Sequence, residues 1–349
     1  MAVQYGMRTR DASGAVTLDT SVTPIRSLKM MTVVGDGSFD QYIPIPEIQA
    51  QSFVVVDTLK DQGQGFTWSP PAWWSAGQLQ LRQPRNETWQ VMILSQGGEP
   101  LASPAAYGIR TRNNNARTQI DPTNKVLSIR YSGKYTLGFQ VPPDIEGDTY
   151  YSWPAPITTY ERPLVFLNAA DYLMVGDFRV IGSPGNWTGF VVAWSGHSSH
   201  GVPQPMAMRI SWFCASYQAG SLPASQYGAS VKDENSVRLF DSGMNIVSLN
   251  NQPTATSFVN TGNPIVEPGW YAPGFQMPWT GSYGDYFLAN ALLSASYIGA
   301  TSQPYRKNFG GFLPGNRGVL QMYCVNADAV NPLTPNGRTT FAARPMKPI

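Results

Sequence analysis

Few residues in this chain are of types and spacings that could do chemistry. Two histidines, His197 and His200, stand in the stretch WSGHSSHGVP. An H-x-x-H spacing offers two nitrogens to a metal, but a zinc site needs three or four ligands and no carboxylate or cysteine lies close by. The pair reads as part of a polar loop between strands. Ser195 precedes them, yet AWSGH lacks the strand-turn-helix setting that exposes a nucleophilic serine. Asp144, Glu146 and Asp148 in PDIEGD resemble a fragment of a calcium loop without its later bidentate glutamate, and read as a solvated acidic turn. Gly310 and Gly311 in NFGGFLPGNRG sit near basic residues, but no Gly-Lys-Ser/Thr follows to cradle a phosphate. Cys214 and Cys324 each follow a large aromatic in an apolar run. They read as buried free thiols at equivalent positions of two repeats. A carboxylate pair for glycoside cleavage needs only that the fold bring two acids together, and nothing in the sequence points to one. The expectation is a protein without catalytic residues, metal or cofactor, and not an enzyme.

Aromatic residues carry more of the signal. TWSPPAWWS places Trp68, Trp73 and Trp74 around two prolines, and GWYAPGFQMPWTGSYGDYF places Trp270, Tyr271, Phe275, Trp279, Tyr283, Tyr286 and Phe287 among glycines and prolines. Large aromatics in irregular segments either plug the ends of a β-sandwich or form platforms that stack on sugar rings or on another chain. Plugging is the favoured reading. As binding residues, the candidates are Trp73, Trp74, Trp270, Tyr271, Trp279 and Tyr283.

These side chains must be positioned by a scaffold, and the scaffold repeats. YGMRTRDASGAVTLD from Tyr5 to Asp19, YGIRTRNNNARTQID from Tyr107 to Asp121 and YGASVKDENSVRLFD from Tyr227 to Asp241 align without a gap. Within each copy, residues alternate as in a strand, pass through a segment rich in turn formers and alternate again, so each predicts a β-hairpin. The glycines Gly6, Gly108 and Gly228 leave room for another backbone to approach, and Asp19, Asp121 and Asp241 are placed to cap the turn that follows. Arg8, Arg10, Arg110 and Arg112 fall on the hairpin face opposite the tyrosines and read as solvated. A lone hairpin is marginal in water, so further strands must follow.

Candidates for those strands are SFVVVDTL, TWQVMILS, KVLSIRYS, PLVFLN, GFVVAWS, RISWFCAS, MNIVSL and GVLQMYCV, all short, apolar or alternating and bounded by turn residues. DYFLANALLSASYI, residues 285–298, is the one stretch with a helical stripe, and it also fits a strand pair. The linkers SQGGEPLASPAA and YQAGSLPASQ before the second and third hairpins resemble each other. The expected fold is all-β, with three tandem β-sandwich-like domains at 1–106, 107–226 and 227–349.

Composition agrees. Charged residues are only 13% and the net charge is +2, so there is no field to favour nucleic acid. Apolar runs such as FVVV are too short for membrane insertion by a helix. The first residues show no basic n-region followed by an apolar core, and the chain reads as soluble and made in a cytoplasm.

The hairpin has the form Y-G-[apolar]-x-[V/T]-x-[D/N]-x-x-G-x-x-x-[L/F]-D-[S/T], and resembles the N-terminal signature of small β-rich tail proteins of tailed bacteriophages. Tyr5, Gly6, Asp11, Gly14, Leu18 and Asp19 match. The second copy has Ala116 in place of the turn glycine, and the third keeps Tyr227, Gly228, Val231, Asp233, Phe240, Asp241 and Ser242. The match covers about fifteen residues per repeat. The resemblance implies a structural component of a tail tip, baseplate or fibre, synthesised in the host bacterial cytoplasm and resident in the virion. Its partners would be other tail proteins and a host surface glycan or protein receptor, with Trp270 to Tyr286 as the favoured receptor segment. It also implies a homo-oligomer, with a homotrimer favoured, although three repeats could supply threefold symmetry within one chain. The rival reading is a carbohydrate-binding, lectin-like module or a glycan depolymerase.

Overall fold

Turn chemistry explains the hairpins. In the first copy β1 (Arg8–Arg10) pairs with β2 (Val16–Asp19), in the second β9 (Ile109–Arg112) with β10 (Arg117–Ile120), and in the third β17 (Ser230–Lys232) with β18 (Arg238–Asp241). The computed structural model describes residues 8–10, 14, 16–19, 24–61, 69–95, 108–112, 117–121, 125–137, 146–170, 173–195, 208–217, 229–249, 258–267, 270–294, 296–297, 305–313, 315–325 and 339–349. Tyr5, Tyr107 and Tyr227 lie outside them.

Hairpins one and three share one register, bulge included. Arg8 faces Asp19 and Ser230 faces Asp241, and the slip falls between Thr9 and Arg10 and between Val231 and Lys232. Both turns contain a left-handed residue nine positions after the tyrosine, Gly14 (φ 83°) and Ser236 (φ 62°). The Asp233 carboxylate accepts the amides of Asn235 and Val237 and holds the third turn. The second copy has Ala116 at this position, where a Cβ disfavours the left-handed region. Its register is shifted by two residues, with Ile109 facing Ile120 and no bulge. At the open end of the hairpin a shift of two keeps paired side chains on their own faces, whereas beside the turn the difference is one residue. Gly108 answers to the expected close approach, since a Cβ there would lie 2.5 Å from the Ile120 carbonyl. Asp241 caps the next turn by accepting the Gly243 amide.

Each hairpin delivers its chain to the same junction. Ile25, Leu127 and Val247 stand 20 residues after the tyrosine of their copies, and their backbones bond in a closed ring. Ile25 N donates to Val247 O (3.0 Å), Val247 N to Leu127 O (2.9 Å), and Leu127 N to Ile25 O (3.0 Å). Isolated bridges repeat the pattern one residue to either side, pairing Pro24 with Ser248, Arg26 with Val126, and Ser128 with Ile246. The three repeats are thus arranged around a pseudo-threefold axis.

From the ring, the first repeat continues through β3 (Arg26–Val34), β4 (Asp40–Pro44), β5 (Ser52–Thr58), β6 (Ala72–Ser75), β7 (Gln78–Arg82) and β8 (Thr88–Ser95). These form two sheets, β3-β8-β5 and β4-β7-β6. The second repeat has the same six strands in the same order: β11 (Ser128–Leu137), β12 (Glu146–Ile157), β13 (Leu164–Ala169), β14 (Leu173–Ser183), β15 (Asn186–Ser195) and β16 (Met208–Ser216). They pair as β11-β16-β13 and β12-β15-β14. The third runs through β19 (Val247–Leu249), β20 (Val259–Glu267), β21 (Trp270–Pro278), β22 (Tyr286–Leu288), a five-residue helix α1 (Ala289–Leu293), β23 (Ser296–Tyr297), β24 (Tyr305–Leu313), β25 (Asn316–Val325) and β26 (Ala342–Pro345). It adds β21, α1 and β23 to the common plan. In every repeat the first strand lies beside the last, so Arg26 faces Ser95, Ser128 faces Ser216 and Ser248 faces Arg344. A side-chain hydrogen bond joins each of these pairs.

The sheets of the second and third repeats are continuous. β13 pairs with β22 and β14 with β24, giving a six-stranded sheet β11-β16-β13-β22-β26-β19 and a large outer sheet β12-β15-β14-β24-β25-β21-β20, with β23 on β24. The all-β expectation holds. Residues 107–226 and 227–349, however, share both large sheets and do not close as two separate sandwiches. The helical stripe at 285–298 shortens to α1 between two short strands, because Tyr286 to Leu288 are taken up by the inner sheet. Cys214 and Cys324 are not equivalent either, since β16 belongs to the inner sheet and β25 to the outer.

β5 and β13 are buried on both faces, which is why SFVVVDTL and PLVFLN read as unbroken apolar runs. Phe53, Val55, Met92 and Leu94 join Leu164, Phe166, Phe213, Tyr286, Leu288 and Phe341 in a core shared by all three repeats. Val54, Val56, Val91 and Ile93 point the other way, into the first repeat's own sandwich. The second and third repeats share one sandwich core. At the outer edges, β4, β12 and β20 carry Pro44, Pro154, Pro156 and Pro264, which block further strand addition.

If the first and third turns are equivalent, Gly14→Ala, with open space around the added Cβ, costs about 1–2 kcal/mol. Ser236→Gly then raises stability by up to about 1 kcal/mol. Chemical denaturation of both variants checks the opposite signs.

Candidate functional site

A cluster of buried polar groups sits where the three repeats meet. Asp57 of β5 lies 3.7 Å from Arg162 Nε, both buried, and the Asp57 carboxylate also accepts the Thr58 amide (2.8 Å) and the Asn290 side-chain amide (3.3 Å). Arg162 donates through Nη2 to Lys60 O (2.7 Å) and through its backbone amide to Gln90 Oε1 (3.0 Å), and its guanidinium lies 4.9 Å from the Trp187 ring. Asn290 Oδ1 accepts the Val165 amide (2.8 Å). Asn290 therefore continues the bonding of β13 where β22 ends, and ties in the first repeat through Asp57. Burial pushes the Arg162 pKa down, and Asp57 and Asp61 push it back up. A second clamp joins repeats two and three. Arg317 donates to Asn168 Oδ1 (2.8 Å), Ser282 O (3.0 Å) and Ala169 O, with its guanidinium 4.1 Å from the Phe312 ring. The hydrogen bonds these groups make all run to other parts of the fold, so they position elements rather than substrates.

The residues considered for chemistry are scattered. His197, His200 and Asp144 lie outside the described residues. Asp148, expected in a solvated turn, sits in β12 and accepts from Arg179 of β14, so strand pairing has drawn the acidic stretch into the sheet. Gly310 and Gly311 are inside β24, between β14 and β25. Cys214 is a free thiol in the second and third repeats' core, and burial pushes its pKa well up. Among the described residues, no three His, Cys, Asp or Glu side chains come together as metal ligands, and no helix is long and apolar enough to cross a membrane.

Strand alternation sorts the aromatic candidates. Trp74 turns inward, donating to Ser52 O (2.9 Å) with its ring 5.4 Å from Phe53. Trp73, its neighbour, points out. Trp270 and Tyr271 open β21, and their side chains lie outside what is described. Trp279 packs edge-on to Phe287 (6.4 Å) and tilted against Phe312 (6.2 Å). Phe275, Tyr286 and Phe287 are buried. Tyr283 is 67% exposed, with the Arg317 guanidinium 5.1 Å from its ring. Of the aromatics of the segment from Trp270 to Tyr286 whose side chains are described, Phe275, Trp279 and Tyr286 pack into the core and Tyr283 is exposed.

An exposed aromatic face lies instead on β4-β7-β6. Tyr42 faces Gln80, and Gln80 faces Trp73, so the three form a row across the sheet. Two residues along, Asp40 faces Arg82. Asp40 Oδ1 accepts from Arg82 Nε and Gln80 Nε2, each at 3.1 Å. The Arg82 guanidinium lies 4.8 Å from the Trp73 ring and 5.3 Å from that of Phe39. Phe39 is 62% exposed and Tyr42 57%. Of these residues the aromatic-segment reading found only Trp73. The signal for the rest was the alternation in DQYIP and QLQLR, which sends Leu79 and Leu81 inward and the polar and aromatic set outward.

Comparison of the chain with protein-family models, with curated proteins and with solved structures finds no match.

Asp57→Ala strands the buried Arg162 charge and should cost about 3–5 kcal/mol, measured by denaturant unfolding. Cys214 should resist alkylation in the native protein at mildly alkaline pH and react on unfolding, as mass spectrometry of the labelled chain would show.

Proposed function

We propose that the protein is a structural component of a bacteriophage tail, seated at a tip or baseplate on the axis of the particle. The observation that carries this reading is the ring of hydrogen bonds through Ile25, Leu127 and Val247. One polypeptide thereby arranges three related units about a threefold axis, the symmetry that the hairpin resemblance implies for tail tips and fibres. The buried polar node of Asp57, Arg162 and Asn290 supports it, because groups from all three repeats are bonded to one another rather than left to a ligand. The proline-blocked edges of the outer sheets support it too, since a chain held among neighbours must avoid open-ended strand addition. Within this reading the internal threefold takes the place of a homotrimer. One chain per axis suffices.

Quantitative mass spectrometry of purified virions tests both parts. The expected result is that the chain is recovered in the particle at one copy per tail. Three copies per tail would replace the single chain by a homotrimer, and absence from the particle would overturn the structural assignment.

A further inference from the structure

The outward face of β4-β7-β6 combines apolar rings with hydrogen-bonding groups that the fold leaves unused. Among the described residues, Arg82 bonds through Nε alone, leaving its Nη groups as donors. Asp40 bonds through Oδ1, leaving Oδ2 as an acceptor, and Gln80 uses Nε2, leaving Oε1. The strand spacing sets Tyr42 and Trp73 about 9.5 Å apart across Gln80, and the Asp40–Arg82 row about 7 Å further along. A face of that size seats more than one sugar ring. Adjacent hydroxyls of a pyranose both donate and accept, which matches a guanidinium next to a carboxylate and an amide oxygen. The C–H faces of the same rings match exposed Phe39 and Tyr42. Asp40 neutralises Arg82 at 3.1 Å, so the face selects no charge.

We propose that this face binds a neutral carbohydrate chain, with rings stacked on Tyr42, Phe39 and Trp73 and vicinal hydroxyls held by Arg82, Asp40 and Gln80. The site rests on the geometry of the first repeat and does not depend on the virion assignment. It binds without cleaving. Arg82 serves twice, since its stacking against Trp73 and Phe39 fixes the guanidinium plane that the hydroxyls meet.

The test is titration of the full-length protein with cellohexaose, maltohexaose, N-acetylchitohexaose and a β-galactohexaose. Tryptophan fluorescence and calorimetry are the readouts, and an anionic hyaluronan hexasaccharide provides the charged comparison. At least one neutral oligosaccharide should bind. Arg82→Ala and Trp73→Ala should each weaken it by about tenfold or more, and Trp73→Phe should retain more affinity than Trp73→Ala. Tyr283→Ala, in the third repeat, should leave it unchanged. Circular dichroism and thermal midpoints separate lost binding from lost folding, and Tyr42→Ala, at a half-exposed site, provides a second probe if Trp73→Ala unfolds. The proposal is overturned if no neutral oligosaccharide binds at millimolar concentration, if the anionic one alone binds, or if folded Arg82→Ala and Tyr42→Ala bind as well as the parent. A face reserved for a protein neighbour would give the first of these results.

Discussion

The ring of three backbone hydrogen bonds at Ile25, Leu127 and Val247 is the constraint from which the rest of the structure follows. Each of the three residues donates to one repeat and accepts from another, so the ring joins every repeat to both of the others. All three side chains are buried, and a backbone group left unpaired there would carry the full cost of desolvation. The ring also aims the strands that leave it. Residues 26, 128 and 248, one step beyond, pair with the last strand of their own repeats, and this places a first-beside-last sheet against the axis three times over.

With three inner sheets around one axis, the core cannot belong to any single repeat. Phe53, Phe166, Phe213, Tyr286 and Phe341 meet there with ring centroids 4.6 to 5.8 Å apart. Three copies of one sheet edge cannot, however, all pair with one another, because a strand edge has one partner. The second and third repeats make that pairing, β13 with β22. The first repeat's β5 is left to another device. Helix α1 packs nearby, and Asn290 bonds the backbone beside β13 and reaches β5 through the Asp57 side chain. The symmetry is broken where geometry requires it, and the polar node of Asp57, Arg162 and Asn290 occupies that place.

Much of this plan was readable in the sequence and some was not, for physical reasons. The hairpin copies were legible because in all three turn formers separate two alternating stretches, and because the close approach at Gly108 demands a glycine. The strands were legible because SFVVVDTL and RISWFCAS are long enough apolar runs between turn formers. The merging of the second and third repeats was not legible, since pairing of β13 with β22 depends on which edges meet, and an edge strand and a central strand buried on both faces have the same composition. The aromatic site was half legible. Tryptophan drew attention to Trp73 and Trp74 together, but only the pleat decides that one faces Phe53 in the core and the other faces Arg82 outside. Phe39, Tyr42 and Gln80 stayed hidden because a lone exposed aromatic or amide in a strand has no local signature until the register brings β4, β7 and β6 side by side.

The same asymmetry decides where a surface function can reside. Inner-sheet residues are fixed by two cores at once, Val54 and Val56 on one side and Phe53 and Val55 on the other, so a change there disturbs both. The outer sheet of the first repeat packs a core on one face only, with Leu79 and Leu81 turned inward. In the second and third repeats β14 and β24 pair and merge the outer sheets into one surface, which ties the exposed face of each to the geometry of the other. The outer sheet of the first repeat stands alone with three strands. Its outward face, with Phe39, Tyr42 and Arg82, is therefore free to take on a recognition task without altering how the three repeats are held around their axis.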